Sequence, residues 1–296
     1  GGRLEGEFIT KDVTKEELAN LMVGREVVLT VEKKQKEITE EPSVILDDLY
    51  VYSDKNVYAL EGLSLQVRPG EIVGIAGVDG NGQSELAEAI MGLREIDKGK
   101  ILLNDKNTAQ LSTKQRIEHK FSYVPADRQR YGLVMPMEIC ENIMIGQHLK
   151  EPFSKGINLN LPYIEEYSEK LVDAYDIRTP SVHVPASTLS GGNQQKVILA
   201  REFSRDPKFL LVSQPTRGLD VGAIEYIHSQ VLRMRDENTA ILLISLELEE
   251  IFSLSDRILV LYEGKIVKEF KPDETDEKEV GYYMTGGKVK EPQHAE

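Results

Sequence analysis

The amino-acid sequence predicts an α/β fold in which a parallel sheet is covered by helices on both faces. Short apolar runs at 71–77, 209–213 and 240–245 are typical of strands buried inside such a sheet. Residues 84–91, directly after the first run, carry apolar side chains at helical spacing. Strands that alternate with helices along a chain indicate a parallel sheet of this kind.

Two further regions extend this prediction. Residues 257–260 and 266–270 flank a Glu263-Gly264 turn, and this arrangement predicts a β-hairpin. Residues 128–188 interrupt the alternation of strands and helices. We interpret this region as an inserted subdomain that is mostly helical.

The composition is that of an ordinary globular protein and excludes several classes. Of 296 residues, 40% are hydrophobic, enough for a full core. The formal net charge of −14 argues against a protein that coats nucleic acid, because such proteins carry basic surfaces. No apolar run in the sequence approaches the roughly 18–20 residues needed to cross a bilayer. The single cysteine, Cys140, excludes an internal disulfide and is predicted to be buried.

A glycine-rich loop lies between the first buried strand and its helix. It follows the phosphate-binding pattern G-x-x-x-x-G-K-[ST], except that Gln83 replaces the lysine. Glycines let such a loop curl around phosphate oxygens at a helix N-terminus, where amide hydrogens and the helix dipole favour an anion. Glutamine can donate only neutral hydrogen bonds, which are roughly half as strong as charge-assisted ones. The predicted nucleotide-binding residues here are Val78, Asp79, Gly80, Asn81, Gly82, Gln83, Ser84 and Glu85.

A second motif, LSGGNQQK, occupies residues 189–196 at the start of another helical segment. It resembles the signature motif of the ATP-binding cassette (ABC) ATPases, in which a serine hydroxyl and glycine amides face a γ-phosphate. Residues 209–220, FLLVSQPTRGLD, resemble the second-strand motif and D-loop of that family. The resemblance covers about 44–286 and implies a P-loop NTPase fold with a RecA-like parallel-sheet core, an antiparallel β subdomain and an inserted helical subdomain. It assigns the signature and D-loop roles to Ser190, Gly191, Gly192, Asn193, Gln194 and Asp220.

Several positions depart from the family pattern and lose charge. Family members usually carry Asp-Glu where this chain has Ser213-Gln214; the aspartate supports Mg²⁺ and the glutamate polarises the attacking water. Leu246 stands at the switch-histidine position, and Ala126 at the Q-loop glutamine position. The resemblance thus implies degenerate base and switch positions at Gln214 and Leu246, with Ser84 and a degenerate Ser213 as Mg²⁺ ligands. Loss of a general base alone lowers a rate by about 10²–10⁴-fold, so we expect little hydrolysis at this site.

The two ends of the chain resemble each other. A shift of 262 positions aligns residues 2–24 with 264–286 without a gap, and six residues are identical. We interpret the first of these segments as the end of a preceding copy of the same domain. The predicted organisation is a tail of a preceding cassette at 1–30, a linker at 31–42, a cassette at 43–287 with its helical subdomain at about 128–188, and a flexible tail at 288–296.

The runs GGNQQK and PTRGLDVGA most resemble the second cassettes of tandem importer ATPases for simple sugars and nucleosides, with an inclination towards nucleosides. This resemblance implies ATP and Mg²⁺ as ligands and a head-to-tail pairing with the first cassette of the same polypeptide. It also implies integral-membrane permease subunits as partners, an indirect link to a substrate-binding protein, no nucleic-acid partner, and a peripheral location at the cytoplasmic face of the cell membrane. The alternatives are a regulatory nucleotide-binding module without hydrolysis and a soluble ABC protein of DNA repair or translation.

Two expectations remain open at the level of sequence. An adenine-stacking aromatic is expected shortly before the phosphate loop, and Tyr52 and Tyr58 are both candidates, with Tyr52 preferred. A permease helix is expected to dock beside residues 126–145. The apolar side chains that either line that groove or belong to the core are Leu133, Met135, Met137 and Ile139.

Overall fold

The structure, a computed structural model, describes residues 33, 34 and 36–287. The strands are Val44–Tyr52 (β1), Tyr58–Val67 (β2), Ile72–Ala76 (β3), Lys98–Leu103 (β4), Lys106–Asn107 (β5), Phe121–Val124 (β6), Ser154–Lys155 (β7), Asn158–Leu159 (β8), Phe209–Ser213 (β9), Ala240–Ser245 (β10), Arg257–Tyr262 (β11) and Lys265–Phe270 (β12). The α-helices are Gln83–Met91 (α1), Thr113–Glu118 (α2), Ile139–Met144 (α3), Leu161–Ala174 (α4), Gly191–Phe203 (α5), Val221–Asp236 (α6), Leu248–Leu254 (α7) and Glu277–Met284 (α8). Short 3₁₀ turns cover Ala186–Thr188 and Pro272–Glu274, and a π-helical turn covers Arg128–Gly132.

The central sheet has six strands in the order β12-β11-β3-β10-β9-β6. All are parallel to their neighbours except β12, which pairs with β11 as the predicted hairpin. Every residue of β3, β9 and β10 is buried, because helices cover both faces of a sheet of this kind. This arrangement confirms the predicted α/β fold.

A second, antiparallel sheet has the order β2-β1-β4-β5. Strand β1 pairs with β2 from Val44 opposite Val67 to Tyr52 opposite Tyr58, with irregular register in between. Buried side chains of both strands pack with α1 and with β3 in one hydrophobic cluster. This sheet is the predicted antiparallel subdomain, and it holds one side of the helix that follows the glycine-rich loop.

The region 128–188 is less helical than expected. It contains α3 and α4, but a small β7–β8 hairpin and long connecting segments lie around them. Of the two alternatives for its apolar residues, the structure supports the core for three: Leu133 and Ile139 are buried in the main core, and Met135 packs against that core. Only Met137 has a largely exposed side chain among the four.

The predicted segments at the two ends lie mostly outside the described residues. Residues 1–30 and 288–296 belong to that part of the chain, so their interpretation stays a prediction. Within the predicted linker, residues 36–42 form no helix or strand. Lys36 Nζ donates to the carbonyl oxygens of Arg235 and Asp236 at 3.0 and 3.1 Å, which attaches this segment to the end of α6. No helix in the described part of the chain is both long and apolar enough to cross a membrane.

Candidate functional site

The core sheet brings four predicted motifs to one edge. Neighbouring parallel strands β3, β10, β9 and β6 end in register, with Ser245 opposite Ala76 and Ser213 opposite Ile244. The loops at the carboxyl ends of such strands line a common crevice, which is where ligands bind in open α/β sheets. The glycine-rich loop, Leu246, Gln214 and the Ala126 segment therefore share this crevice.

The glycine-rich loop takes a conformation that requires glycine. Gly82 has φ 107° and is the N-cap of α1, and Gly80 has φ 88°. A Cβ at Gly82 would lie 2.6 Å from the carbonyl oxygen of Ala59. Only glycine adopts this backbone without strain in so close a contact. The loop therefore presents backbone amides at a helix N-terminus, where phosphate is favoured.

Gln83 closes the loop on itself. Its side chain is buried, its Nε2 donates to the Val78 carbonyl oxygen at 2.9 Å, and its Oε1 accepts from the Asn81 amide at 3.1 Å. Because one partner only accepts and the other only donates, these contacts fix the amide orientation. A lysine could not accept from Asn81. The substitution therefore both removes a charge and occupies one amide of the anion-binding loop.

The β11–β12 turn braces the same loop from outside. The Glu263 amide donates to Asn81 Oδ1 at 2.8 Å, and the Gly264 amide donates to the Asn81 carbonyl oxygen at 3.1 Å. Asn81 Nδ2 also donates to the Val78 carbonyl oxygen at 3.1 Å. The predicted hairpin thus has a second role, since its turn holds the loop at Asn81.

The far end of α1 is capped by a buried arginine. Arg116 is 1% exposed, and its guanidinium donates to the carbonyl oxygens of Ala89, Ile90, Leu111 and Ala109. The first two belong to the last turn of α1, whose carbonyls have no partner within the helix. Burial lowers the pKa of Arg116 to about 10, so the group stays charged at neutral pH and complements the negative end of the helix dipole.

Most of the other predicted nucleotide-binding residues of the loop are exposed. Val78, Asp79, Gly80 and Ser84 are exposed, while Glu85 is half-buried. The hydroxyl of Ser84 can therefore reach a bound Mg²⁺, but Ser213 is buried and uncharged. Mg²⁺ is usually held by carboxylates together with substrate phosphates. These hydroxyls alone provide a weak metal site, in which the phosphates would supply most of the negative ligands.

The degenerate base position has an unusual backbone. Gln214 directly follows β9, has φ 42°, and donates its amide to the Ile244 carbonyl oxygen at 2.7 Å. A non-glycine residue in the left-handed region costs roughly 1–2 kcal/mol. The neighbouring strand ends at Ser245, and Leu246 follows it as a half-buried side chain. Neither Gln214 nor Leu246 carries a charge that could activate water.

A buried polar network ties the D-loop to the switch region and was not predicted from the sequence. Glu250 Oε1 accepts hydrogen bonds from Thr216 Oγ1 and pairs with His228 Nε2, both at 2.9 Å. Thr216 follows the base position, Glu250 lies in α7, and His228 lies in α6. Their spacing in sequence is 12 to 34 residues, so no local pattern indicated that they meet.

The signature segment forms a helix start as predicted. Ser190 is the N-cap of α5, and its Oγ accepts from the side-chain amide of Asn193 at 3.0 Å. Gly191 and Gly192 form the first turn and are half-buried. Gln194 instead points inward, with Nε2 3.1 Å from the Leu189 carbonyl oxygen, so it shapes the loop before the helix rather than its surface.

Arg128 lies over the start of the signature helix and was not predicted as a site residue. Its Nη1 donates to the Arg217 carbonyl oxygen at 3.0 Å, and a Cβ at Gly191 would lie 2.8 Å from its Nη2. Nearby, Asp220 caps α6 by accepting from the Ala223 amide at 2.9 Å. The signature, the D-loop and the segment after Ala126 are therefore physically connected on one surface.

The two adenine-stacking candidates stack on each other. The rings of Tyr52 and Tyr58 have centroids 4.3 Å apart at an interplanar angle of 17°, and their hydroxyls are 3.0 Å apart. Tyr58 also packs edge-on against Tyr50 and donates its hydroxyl to Asp97 Oδ2 at 2.7 Å. Tyr52 is 41% exposed. A base would therefore meet the Tyr52 ring more freely than the Tyr58 ring.

This combination of a glycine-rich loop, a signature helix and a D-loop on one RecA-like sheet defines an ATP-binding cassette. The sequence profile of the ABC transporter family matches residues 60–217, and the chain belongs to this family.

Several curated relatives match nearly all of the chain. The guanosine import ATP-binding protein NupO of Bacillus subtilis (strain 168) is 46% identical over 281 residues, covering 95% of this chain and 55% of that protein. The nucleoside import ATP-binding protein NupA of Lactococcus lactis subsp. cremoris (strain MG1363) is 46% identical, with coverage of 95% and 55%. The glucose import ATP-binding protein TsgD13 of Haloferax volcanii is 43% identical, with coverage of 97% and 52%. The chain spans about half the length of the curated relatives it matches.

Solved structures agree with the fold. An ATP-binding cassette of an ABC transporter in its ADP conformation superposes with a TM-score of 0.66 at 22% identity, covering 83% of this chain and 96% of that chain. A dimeric cassette in a post-hydrolysis state with ADP and Pi gives a TM-score of 0.66 at 22% identity, with coverage of 77% and 98%. At this identity the likeness establishes the fold alone.

Proposed function

We propose that this chain is the second, catalytically degenerate cassette of a tandem ATPase that drives an ABC importer for nucleosides or simple sugars. One observation carries the proposal. A complete signature at Ser190–Gly192 occurs in the same domain as a phosphate site with no charged group at Gln83, Ser213, Gln214 or Leu246. A domain of this kind binds nucleotide at its own loop and contributes its signature to the site of a partner cassette.

The partner in this proposal is a preceding cassette of the same polypeptide. The alignment of 2–24 with 264–286 supports it, because a repeat of this spacing matches one whole domain. The length of the relatives supports it as well, since a protein nearly twice as long as the matched part has room for a second cassette. The partner would supply the lysine, the Mg²⁺ ligand and the base of the competent site.

The cargo and the membrane partners are proposed from the relatives. Two of them are named for guanosine or nucleoside import and a third for glucose import. Integral-membrane permease subunits would then hold the pair at the cytoplasmic face of the membrane and connect it to a substrate-binding protein. Tyr131, Val134 and Met137 have exposed apolar side chains beside the Ala126 segment, and we assign the permease contact to them.

Measuring ATP hydrolysis by this chain and by its full-length parent protein tests the proposal. We expect the chain alone to bind ATP with Mg²⁺ but to turn it over at least about 10²-fold more slowly than the parent, because the base and the charges that stabilise the transition state are absent. Equal turnover per nucleotide site in the two proteins would show that the degenerate positions do not limit hydrolysis, and the proposal would be wrong.

The substitution Gln83→Lys should strengthen ATP binding by about 5-fold, because a charge-assisted hydrogen bond contributes roughly 1 kcal/mol more than a neutral one. The Asn81 amide, now bonded to Gln83 Oε1, would also become available to phosphate. Titration of the chain with ATP and ADP measures both effects, and the gain should be larger for ATP. Gln83→Met is the matched control, which removes both loop contacts without adding charge. Unchanged ATP affinity in Gln83→Lys would contradict this account of the loop.

A further inference from the structure

Three side chains with different donor atoms meet at the start of α3, away from the glycine-rich loop. Glu138 Oε2 lies 2.9 Å from His183 Nδ1 and 3.4 Å from Cys140 Sγ, and Cys140 Sγ lies 4.0 Å from His183 Nδ1. A carboxylate oxygen, a thiol sulfur and an imidazole nitrogen therefore all lie within 4.8 Å of one another. The nucleotide site does not use any of these residues.

The main chain holds this arrangement in place. The Ile139 amide donates to the Val184 carbonyl oxygen at 3.1 Å, and the Cys140 amide donates to the Val182 carbonyl oxygen at 3.0 Å. Glu138 and Pro185 form an antiparallel bridge. Because two paired segments carry the three side chains, their spacing does not depend on the side-chain hydrogen bonds alone.

The spacing fits a tetrahedral metal ion. Zinc binds nitrogen and oxygen at about 2.0–2.2 Å and sulfur at about 2.3 Å, so neighbouring ligand atoms in a tetrahedral site lie roughly 3.3–3.8 Å apart. Of the three observed separations, 3.4 Å lies within this range, 2.9 Å lies below it and 4.0 Å lies above it. Side-chain shifts of about 0.5 Å would bring all three atoms to bonding positions.

The second nitrogen of the histidine is also oriented as a metal ligand requires. Glu165 Oε1 lies 3.1 Å from His183 Nε2. In metal sites the non-bonding nitrogen of a histidine usually donates to a carboxylate, which fixes the ring and its tautomer. Glu138 and Glu165 are both exposed enough to leave a path from solvent, while Cys140 is buried beneath them.

We propose that Glu138, Cys140 and His183 bind one zinc-class divalent cation, with Glu165 as the positioning residue of His183 and water in the fourth position. Binding replaces protons by metal. The Cys140 thiol, which now donates to Glu138, loses its proton to solvent and binds as thiolate. Nδ1 of His183 releases its proton to solvent and binds through its lone pair, and the N–H on Nε2, which faces Glu165, is retained. The Glu138 carboxylate and the Cys140 thiolate then balance the two positive charges of the cation.

The ion would join α3 to the segment 182–185. That segment continues directly into the 3₁₀ turn at Ala186–Thr188 and the signature serine, Ser190. The proposed metal site therefore contacts the segment that leads into the signature helix, and not the helix start that would face phosphate. Its expected contribution is to hold the inserted region together.

Titration of the chain with Co²⁺, without nucleotide, tests the proposal. Because Cys140 is the only cysteine of the 296 residues, a thiolate-to-cobalt charge-transfer absorption can arise only from this residue. We expect this band to saturate at one Co²⁺ per chain and to disappear when Zn²⁺ is added. Cys140→Ser should abolish it, and His183→Ala should weaken Co²⁺ binding at least about 10-fold. The positioning role predicts a loss of about 10–100-fold for Glu165→Gln with the thiolate band retained.

An exposed histidine elsewhere gives the matched control. His119→Ala should leave the band and the affinity unchanged. Absence of any thiolate band in the unmodified chain would overturn the proposal. It would also be overturned if the band of His183→Ala and that of Glu138→Gln each had the same strength and midpoint as the band of the unmodified chain. Retained far-UV circular dichroism in each variant separates loss of binding from loss of folding.

Discussion

Replacing Ser190 with arginine in the two-cassette parent protein should lower ATP hydrolysis by at least about 10²-fold, the cost of removing one group that stabilises transition-state charge. Ser190 is an exposed N-cap, and Gly191 and Gly192 place no side chain at the start of α5, which the proposal assigns to an incoming phosphate. A long cation at this position would fill the space that the γ-phosphate of the partner site requires. Steady-state hydrolysis with saturating ATP measures the loss.

The effect should not come from unfolding. Loss of an N-cap costs about 1 kcal/mol, and the Ser190 cap here is weak, with Oγ 3.5 Å from the Asn193 amide. Ser190→Asn keeps a good capping residue and tests the hydroxyl with much less added bulk than arginine. Ser187→Arg, in the preceding exposed turn, adds the same cation outside the helix start and should retain most activity. Hydrolysis that survives Ser190→Arg would mean that this signature serves no competent site.

The prediction of the fold from the sequence succeeded where burial alone decides structure. Strands β3, β9 and β10 are continuous apolar runs because helices cover both of their faces, and such runs are visible without any tertiary information. The glycine-rich loop could also be predicted from local sequence, because glycine is the residue that most readily adopts the positive φ found at Gly80 and Gly82. Because these strands are parallel, the loops that follow neighbouring strands meet at one edge of the sheet.

The inserted region was harder to predict because its stabilising contacts are long-range. Leu133 and Ile139 read equally well as a docking surface or as core, and only the packing of α5 behind them shows that they are core. The Thr216–Glu250–His228 network had no signature either, since its members lie on three separate elements. Polar groups that pair across elements leave no periodic pattern in the sequence.

At Gln83 the sequence predicted the change in charge but not the change in hydrogen bonding. The sequence showed that a lysine charge was missing, and this followed from residue type alone. It did not show that the glutamine accepts a hydrogen bond from the Asn81 amide, because that contact depends on the curl of the loop. The missing lysine charge and the occupied Asn81 amide both weaken phosphate binding, so we expect this loop to bind phosphate more weakly than the missing charge alone indicates.

Replacing Arg116 with alanine should destabilise the fold by about 3–5 kcal/mol, since a large buried side chain is lost and buried carbonyls lose their donors. The guanidinium donates to the Ala89 and Leu111 carbonyl oxygens at 2.6 and 3.0 Å, so it joins the end of α1 to the start of α2. Urea unfolding followed by far-UV circular dichroism measures the change. Arg178→Ala removes an exposed arginine and should change stability by less than about 0.5 kcal/mol.

Arg116→Lys separates charge from geometry at this position. A lysine keeps the positive charge at the end of α1 but cannot span four carbonyl oxygens, because its donors share one nitrogen. We therefore expect Arg116→Lys to have a free energy of unfolding between that of the unmodified protein and that of Arg116→Ala. If lysine restored full stability, helix-dipole charge would dominate; if it were no better than alanine, the hydrogen-bond network would. Because α1 begins at the glycine-rich loop, the variants should also weaken ATP binding in proportion to how far they loosen this helix.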